Sequence, residues 1–432
     1  MNLSSALRYL DQHTNLEATA GRVEGLSLDR MRRLVDVLGD PQAAYPVIHI
    51  TGTNGKGSVA RMVTRLLEVA GLSVGTYTSP HLEAIGERIT WNGEPIANDE
   101  LARAITTIAS VEEVAGITPS YFEILTAAAF GWFADVAVDV AVVEVGMLGR
   151  YDATNVVDAT VAVLTNVGRD HTDGTGRWRE VIAAEKVGIV KPGATFVCGE
   201  VDPALAGVLA ASGAAATWWR GIDFDLEQSL LAVGGRTVSL RTPSGTVEDV
   251  YLPLHGDHQG DNAAVALAAV EAFFDRRLTD DIVTEALAEI GVPGRFEVAQ
   301  REPTVILDAA HNLDGASACA TTLREEFTLA GTVIIVAGFL DGRDPAQMLR
   351  ALGASDAGFL IACTPDSPRA IPAPEVAAAA DGLGIVAEAV SSVPAALHRA
   401  LGLASPDDLV LVTGSLYVVG PARTVLRSEV DA

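Results

Sequence analysis

IHITGTNGKGSVARM, residues Ile48–Met62, decides how the chain is read. A β-rich run ends at Gly52 and a glycine-rich turn follows. Apolar residues then recur at helical spacing from Val59 through Met62, Val63, Leu66, Leu67 and Ala70, with Gly71 placed to cap the helix. Gly52, Gly55 and Gly57 let successive N–H groups curl toward one anion, and a helix N-terminus adds partial positive charge. Lys56 is a point charge for β- and γ-phosphates, and the Ser58 hydroxyl suits Mg²⁺. The strict GxxxxGK[ST] pattern does not fit, because Gly57 separates Lys56 from Ser58. A glycine turn with no ligand is the bland alternative. The strand–loop–helix context together with the lysine favours a phosphate site.

Outward from this stretch the chain alternates strand-length apolar runs with helical patterns. VDVAVVEVG (Val138–Gly146), ATVAVLTNVG (Ala159–Gly168) and ATFVCG (Ala194–Gly199) read as buried parallel strands. Trp218–Leu254 is rich in Gly, Thr and Ser with short alternating runs, and reads as a small antiparallel excursion before a helix over His255–Phe274. A domain boundary is expected around VPGRFEV (Val292–Val298), giving domains 1–293 and 294–432. The second series of strands is TVILDAA (Thr304–Ala310), TVIIVAG (Thr332–Gly338), AGFLIAC (Ala357–Cys363), GIVAEAV (Gly384–Val390) and DLVLVTG (Asp408–Gly414). Pro372–Ala380 reads as a loop leading into a helix.

Composition narrows the function classes. The 432 residues carry 30 Lys+Arg against 56 Asp+Glu, a net charge of −26, which argues against nucleic-acid and membrane-surface binding. Three scattered cysteines exclude a disulfide framework. The first residues lack a basic segment followed by an apolar run, and Asp135 and Asp139 interrupt the most apolar window, so a cytoplasmic protein without a membrane span is expected.

A nucleotide loop alone does not name a reaction. Glu144 ends one strand and His171 follows another. In open α/β sheets ligands bind beyond the carboxyl ends of strands, so both residues should face the crevice that holds Lys56 and Ser58. Glu144 and Ser58 could share one Mg²⁺, and His171 could bind a second metal. Taken singly, Glu144 is a solvated strand end and His171 a turn residue; their convergence on one sheet edge shifts the balance.

Many further strings occur in a recognisable order: GTNGKGS, SPHL (Ser79–Leu82), ERITWNGEPI (Glu87–Ile96), YFEILT (Tyr121–Thr126), GRYDATN (Gly149–Asn155), NVGRDHTD (Asn166–Asp173), AEKVGIVKPG (Ala184–Gly193), GDHQGDNAAVAL (Gly256–Leu267), PGRFE (Pro293–Glu297), LDAAHN (Leu307–Asn312) and TGSLYVVG (Thr413–Gly420). Together they resemble the folylpolyglutamate synthase/dihydrofolate synthase family of the Mur ligase superfamily, over nearly the whole chain. The resemblance implies an N-terminal parallel-sheet P-loop ATPase-type domain followed by a smaller Rossmann-like α/β domain, with ATP bound between them. It implies an ATP-dependent amide ligase that adds L-glutamate to dihydropteroate or reduced folates through an acyl phosphate, acting as a monomer.

By the same resemblance, Asn54, Gly55, Lys56, Gly57 and Ser58 bind the ATP phosphates. Asn262 reads the adenine, and Arg295 and Asp308 contact ATP from the far side. Lys56, Lys186 and His311 are the implied catalytic residues. Ser58, Glu144 and His171 hold magnesium at two sites, with Lys186 joining them if carbamylated; an ordinary helix-surface lysine is what the sequence alone would favour there. The pterin would meet Leu28 and Asp29 in GLSLDRM, then Ser79, Pro80 and His81. It would also meet Ser120, Tyr121, Phe122 and Glu123, and Tyr151, Asp152 and Ala153. Phe122 or Tyr121 could stack on the flat ring, with a core aromatic as the alternative.

The chain departs from the family strings at Leu148 in GMLGR, at Gly174 after DHTD, at Ala309 and Leu313 in LDAAHNL, and at Arg343 in DGRD. Two rivals remain at this point. One is a Mur-type ligase acting on a UDP-muramoyl acceptor, which GTNGKGS, SPHL and LDAAHN argue against. The other is a nucleotide-binding paralogue without catalysis, which the joint presence of Lys56, Ser58, Glu144 and His171 argues against.

Overall fold

The computed structural model of the chain describes residues 1–15, 17, 27–170, 175–328 and 330–430. The mixed eight-stranded sheet that carries the phosphate loop is built from β1 (Val47–Thr51), β2 (Val74–Tyr77), β3 (Ile89–Trp91), β4 (Glu94–Pro95), β5 (Val140–Glu144), β6 (Val161–Leu164), β7 (Thr195–Cys198) and β8 (Ala216–Trp219). Their order is β4-β3-β2-β5-β1-β6-β7-β8. From β2 to β8 every pair is parallel, and β3 and β4 add an antiparallel edge. Every residue of β1, β5 and β6 is buried. This explains why their sequences are continuous Val/Ile/Ala runs instead of alternating ones: helices cover both faces of a parallel sheet.

One core cluster joins Tyr77, Ala141 and Val143 of the sheet to Leu101 and Ile105 of helix Asn98–Ala115 and to Phe130 and Phe133 of helix Tyr121–Asp135. A second cluster joins Ala162, Leu164, Phe196 and Cys198 to Ile182 and Ala183 of helix Trp178–Lys186. Helix Lys56–Val69 ends at Ala70, with Gly71 at φ +94° just beyond, as its sequence suggested.

The antiparallel excursion is a three-stranded sheet, β9 (Asp225–Ala232), β10 (Gly235–Thr242) and β11 (Gly245–Leu252), in the order β11-β10-β9. It begins later than its composition suggested, because Trp218 and Trp219 belong to β8 and extend the parallel sheet. Helix Asp257–Phe274 follows.

A second unit comprises Val292 to the end of the chain together with Leu254–His258. Its six-stranded sheet contains β12 (Glu297–Arg301), β13 (Thr304–Asp308), β14 (Val333–Ala337), β15 (Phe359–Cys363), β16 (Ala387–Val390) and β17 (Leu409–Thr413), in the order β12-β13-β17-β14-β15-β16. All pairs are parallel except β12 with β13. The molecule is thus α/β throughout, with a large parallel sheet followed by a second α/β unit. The segment around Pro372 differs from expectation. Helix Ala373–Asp381 starts directly after it, and Pro374 sits in its first turn, where a missing N–H costs nothing. Among the described residues no helix is long and apolar enough to cross a membrane, and all three cysteines are buried free thiols.

Candidate active site

Strands β5, β1 and β6 are adjacent and parallel, so the segments that leave their carboxyl ends meet on one edge. The loop after β1 is fastened there by β6. Asn166 Oδ1 accepts from the Asn54 amide at 3.0 Å, and Asn166 Nδ2 donates to the Asn54 carbonyl at 3.0 Å. Thr165 Oγ1 donates to the same carbonyl at 2.6 Å, and the Gly168 amide donates to Thr53 Oγ1 at 2.9 Å. Gly55 has φ +82°, and a Cβ there would collide with Asn262 Oδ1, so only glycine fits the turn. The buried Asn262 also donates through Nδ2 to Gln259 at 3.0 Å.

Helix Lys56–Val69 begins at Lys56, whose half-buried side chain donates to the Thr53 carbonyl at 3.2 Å. Ser58 is buried in the first turn. Glu144, the last residue of β5, is buried, and its Oε2 lies 3.7 Å from where a Cβ on Gly57 would stand. The same Oε2 accepts from the Ser79 amide at 3.2 Å. The carboxylate therefore lies beside the glycine loop and holds the SPHL loop that leaves β2.

Lys186, last residue of helix Trp178–Lys186, is buried rather than lying on a helix surface. Burial is the main cause that lowers its pKa to about 7; the charge of Lys56 lowers it further, and Asp170 opposes both. His171 lies outside the described residues, as does Gly174.

Around the proposed pterin pocket the polar groups hold backbone. Ser120 and Glu123 form a capping box at the start of helix Tyr121–Asp135, with the Glu123 carboxylate 2.7 Å from the Ser120 amide and the Ser120 hydroxyl 3.2 Å from the Glu123 amide. Buried Asp152 accepts from the Met147 and Thr154 amides at 2.9 and 3.0 Å, and burial raises its pKa. Ala153 is buried and Tyr151 exposed. Tyr121 is buried beneath the Arg88 guanidinium, 5.7 Å from its ring centroid, whereas half-buried Phe122 packs on Tyr77 at 5.9 Å and on Gly146. Leu28 is buried ahead of helix Asp29–Val37, and Asp29 is exposed in its first turn. Leu148 adopts φ +60°, a left-handed backbone that favours glycine.

Within the second unit, Asp308 ends β13 and accepts from the Phe296 amide at 2.9 Å and the Ala310 amide at 3.0 Å. Burial raises its pKa, and the nearby Arg295 charge lowers it. Arg295 Nη1 reaches the Ala309 carbonyl at 3.5 Å, and His311 Nδ1 pairs with that carbonyl at 3.1 Å. Arg295, Asp308 and His311 are thus brought together by the turn after β13.

Residues 50–270 match the Mur ligase middle domain, and residues 294–416 match the Mur ligase glutamate ligase domain. The dihydrofolate synthase/folylpolyglutamate synthase of Mycobacterium tuberculosis is 39% identical, over 93% of this chain and 90% of that protein. The chain belongs to the folylpolyglutamate synthase/dihydrofolate synthase family. The structure of Mycobacterium tuberculosis folylpolyglutamate synthase complexed with ADP superimposes with a TM-score of 0.91 at 38% identity, covering 98% of each chain. A bifunctional folylpolyglutamate synthase/dihydrofolate synthase with Mn, AMPPNP and L-glutamate bound gives 0.86 at 30% identity, covering 99% of this chain and 98% of the other. The chain is accordingly an ATP-dependent ligase of this family.

Ser58, a hydroxyl in the first turn of helix Lys56–Val69, and Glu144, a carboxylate at the end of β5, are oxygen donors of the kind that suits a hard divalent cation. Among the described residues no three His, Cys, Asp or Glu side chains cluster as a metal site. The roles of Thr165 and Asn166 as loop fasteners escaped the sequence reading. Their one signal was a Thr-Asn pair directly after a buried strand, which many strand ends share.

Proposed function

We propose that the chain joins L-glutamate to dihydropteroate, to reduced folates, or to both, at the edge formed by β2, β5, β1 and β6. The single observation that carries this reading is Glu144, whose carboxylate lies beside the glycine loop at Gly57 and accepts from the SPHL loop at Ser79. A kinase-like first step needs a nucleotide phosphate and an acceptor carboxylate side by side.

A carboxylate oxygen of the pterin substrate attacks the γ-phosphorus, and the bond to ADP breaks. The α-amine of glutamate then attacks the acyl carbon, loses a proton, and phosphate leaves. Lys56 and the amides of Asn54–Ser58 hold the phosphates and offset the charge that develops on them. Ser58, Glu144 and His171 would hold Mg²⁺ at two sites, where it would supply further charge neutralisation, with Lys186 joining Glu144 and His171 if carbamylated. Lys186 carries a carbamate: its amine forms an N–C bond to CO₂ and releases one proton. Its burial favours the neutral amine that this step requires.

Asn262 reads the adenine, and Arg295 and Asp308 are nucleotide ligands whose alanine variants should each weaken ADP binding. His311 is assigned to catalysis. Ser79–His81, Ser120–Glu123, Tyr151–Ala153, Leu28 and Asp29 form the pterin side. The division of labour follows residues 1–293 and 294–432, and the enzyme acts as a monomer in the cytoplasm; sedimentation and cell fractionation test the last two points.

The decisive experiment incubates purified protein with ATP, Mg²⁺, L-glutamate and either dihydropteroate or tetrahydrofolate, and reads the products by mass. Carboxylate labelled with ¹⁸O should pass one label to phosphate. Product formed only on a UDP-muramoyl acceptor would replace this reading with the rival ligase.

A further inference from the structure

The SPHL loop is gripped at three points by charged side chains. Its first amide, on Ser79, is held by Glu144. The Glu87 carboxylate accepts from the amides of Leu82 at 2.8 Å, Glu83 at 3.1 Å and Ala84 at 2.8 Å. Between these anchors lies His81, and the neighbour of Glu87 holds it: Arg88 Nε donates to His81 Nδ1 at 2.9 Å. Arg88 is 2% exposed, and its two terminal nitrogens donate to Glu17 Oε1 and Oε2 at 2.9 and 2.7 Å. A bidentate carboxylate fixes the plane of the guanidinium and so the direction of its Nε–H.

A guanidinium can only donate hydrogen bonds, so Nδ1 of His81 must accept, and the single proton of the neutral ring sits on Nε2. Nε2 has no partner among the described residues and is not one of the sealed, unpaired buried atoms. The loop thus presents one N–H donor of fixed direction.

We propose that Arg88 is a positioning residue that sets the tautomer of His81, so that His81 Nε2–H donates to a carbonyl or carboxylate oxygen of the glutamate-accepting substrate, with Glu17 holding Arg88 in place. The substrate half rests on the assignment of His81 to the pterin side. The electrostatics agree: burial first, then the charge of Arg88, lowers the His81 pKa to about 4 against the opposing pull of Glu87 and Glu17. Near neutral pH the ring is an uncharged donor. Glu87 holds the loop backbone and Arg88 holds its one imidazole, so adjacent residues fix both the path of the loop and the polarity of what it offers.

The test uses the full chain with ¹⁵N-labelled histidine. The protein has eight histidines, and the His81 signals are identified by their loss in His81→Gln. Wild type should show a proton on Nε2 alone. Arg88→Met should show both tautomers in exchange and raise KM for the pterin substrate about tenfold while KM for ATP stays within about twofold. Arg88→Gln, whose amide can either donate or accept, serves if the methionine variant does not fold; it should also mix the tautomers. A proton on Nδ1 in wild type, or an unchanged tautomer in an Arg88 variant that folds, overturns the role of Arg88. An Nε2–H tautomer combined with an unaltered pterin KM in His81→Ala instead overturns the placement of His81 in the substrate pocket.

Discussion

Asn166 grips the backbone of Asn54 from both sides, its Oδ1 accepting from the amide and its Nδ2 donating to the carbonyl, each at 3.0 Å. One side chain at the end of β6 thereby sets the orientation of the peptide that opens the phosphate loop. Asn166→Ala removes both bonds from a half-buried position without opening a core cavity. At about 1 kcal/mol per hydrogen bond, the fold should lose about 2 kcal/mol and melt about 5 °C lower, and ADP should bind roughly tenfold or more weakly to the loosened loop. Calorimetric titration with ADP checks this; wild-type affinity would remove Asn166 from the loop's support.

Lys56→Ala should cut ligation by about 10²–10³ while leaving the fold intact. The side chain is half-buried at the start of a helix and donates to the Thr53 carbonyl. Removing one electrostatic partner of a developing charge lowers kcat by about 10²–10³. Steady-state kinetics beside circular dichroism measures both; turnover close to wild type would sink the phosphate-loop assignment.

If Lys186 carries the proposed carbamate, the rate should depend on pH and on CO₂. With its pKa lowered to about 7, chiefly by burial, the amine is protonated and unreactive in acid and increasingly neutral as pH rises through that value. Ligase activity at fixed CO₂ should therefore climb between about pH 6 and 8. Lys186→Ala should be inactive and recover part of its activity in formate or acetate, and ¹³CO₂ should give a carbamate signal that this variant lacks. Activity indifferent to CO₂, with an alanine variant that no carboxylate rescues, would exclude the carbamate.

His49 makes stability depend on pH away from the active edge. It lies fully buried in β1, with Nε2 paired to Thr154 Oγ1 at 2.8 Å, and burial, helped by the charge of Lys191, lowers its pKa from 6.5 to about 3. Between those values the unfolded chain binds a proton that the folded chain does not, so stability falls as pH drops through this window. One such group contributes a slope of up to about 1.4 kcal/mol per pH unit. His49→Gln can still donate to Thr154 but cannot titrate. Urea midpoints measured across the window should fall less steeply in this variant, and identical slopes would show that His49 does not set the acid sensitivity.

The main strands were legible because each is a near-continuous apolar run bounded by glycine or a polar residue. The runs around β1, β5, β6, β7, β13, β14, β15, β16 and β17 could be read from composition alone. The edge strands β3 and β4 could not: Ile89–Trp91 and Glu94–Pro95 are short and partly exposed, and only pairing with β2 makes them strands. Trp218 and Trp219 were read with the wrong sheet, because a strand's own sequence does not say which neighbour it will join.

By itself the sequence determined the α/β class, the glycine loop with Lys56 and Ser58, and the family, since these depend on local residue order and on many strings recurring in sequence. Only the tertiary structure decided that Lys186 is buried and its amine perturbed, that Glu144 joins two loops, that Asn166 fastens Asn54, and that Arg88 faces His81. Burial and hydrogen-bond direction arise from segments far apart in the chain, and no periodicity or local spacing encodes them. A lysine at the end of an amphipathic helix looks solvated until the rest of the fold buries it and withdraws the water that would keep it charged.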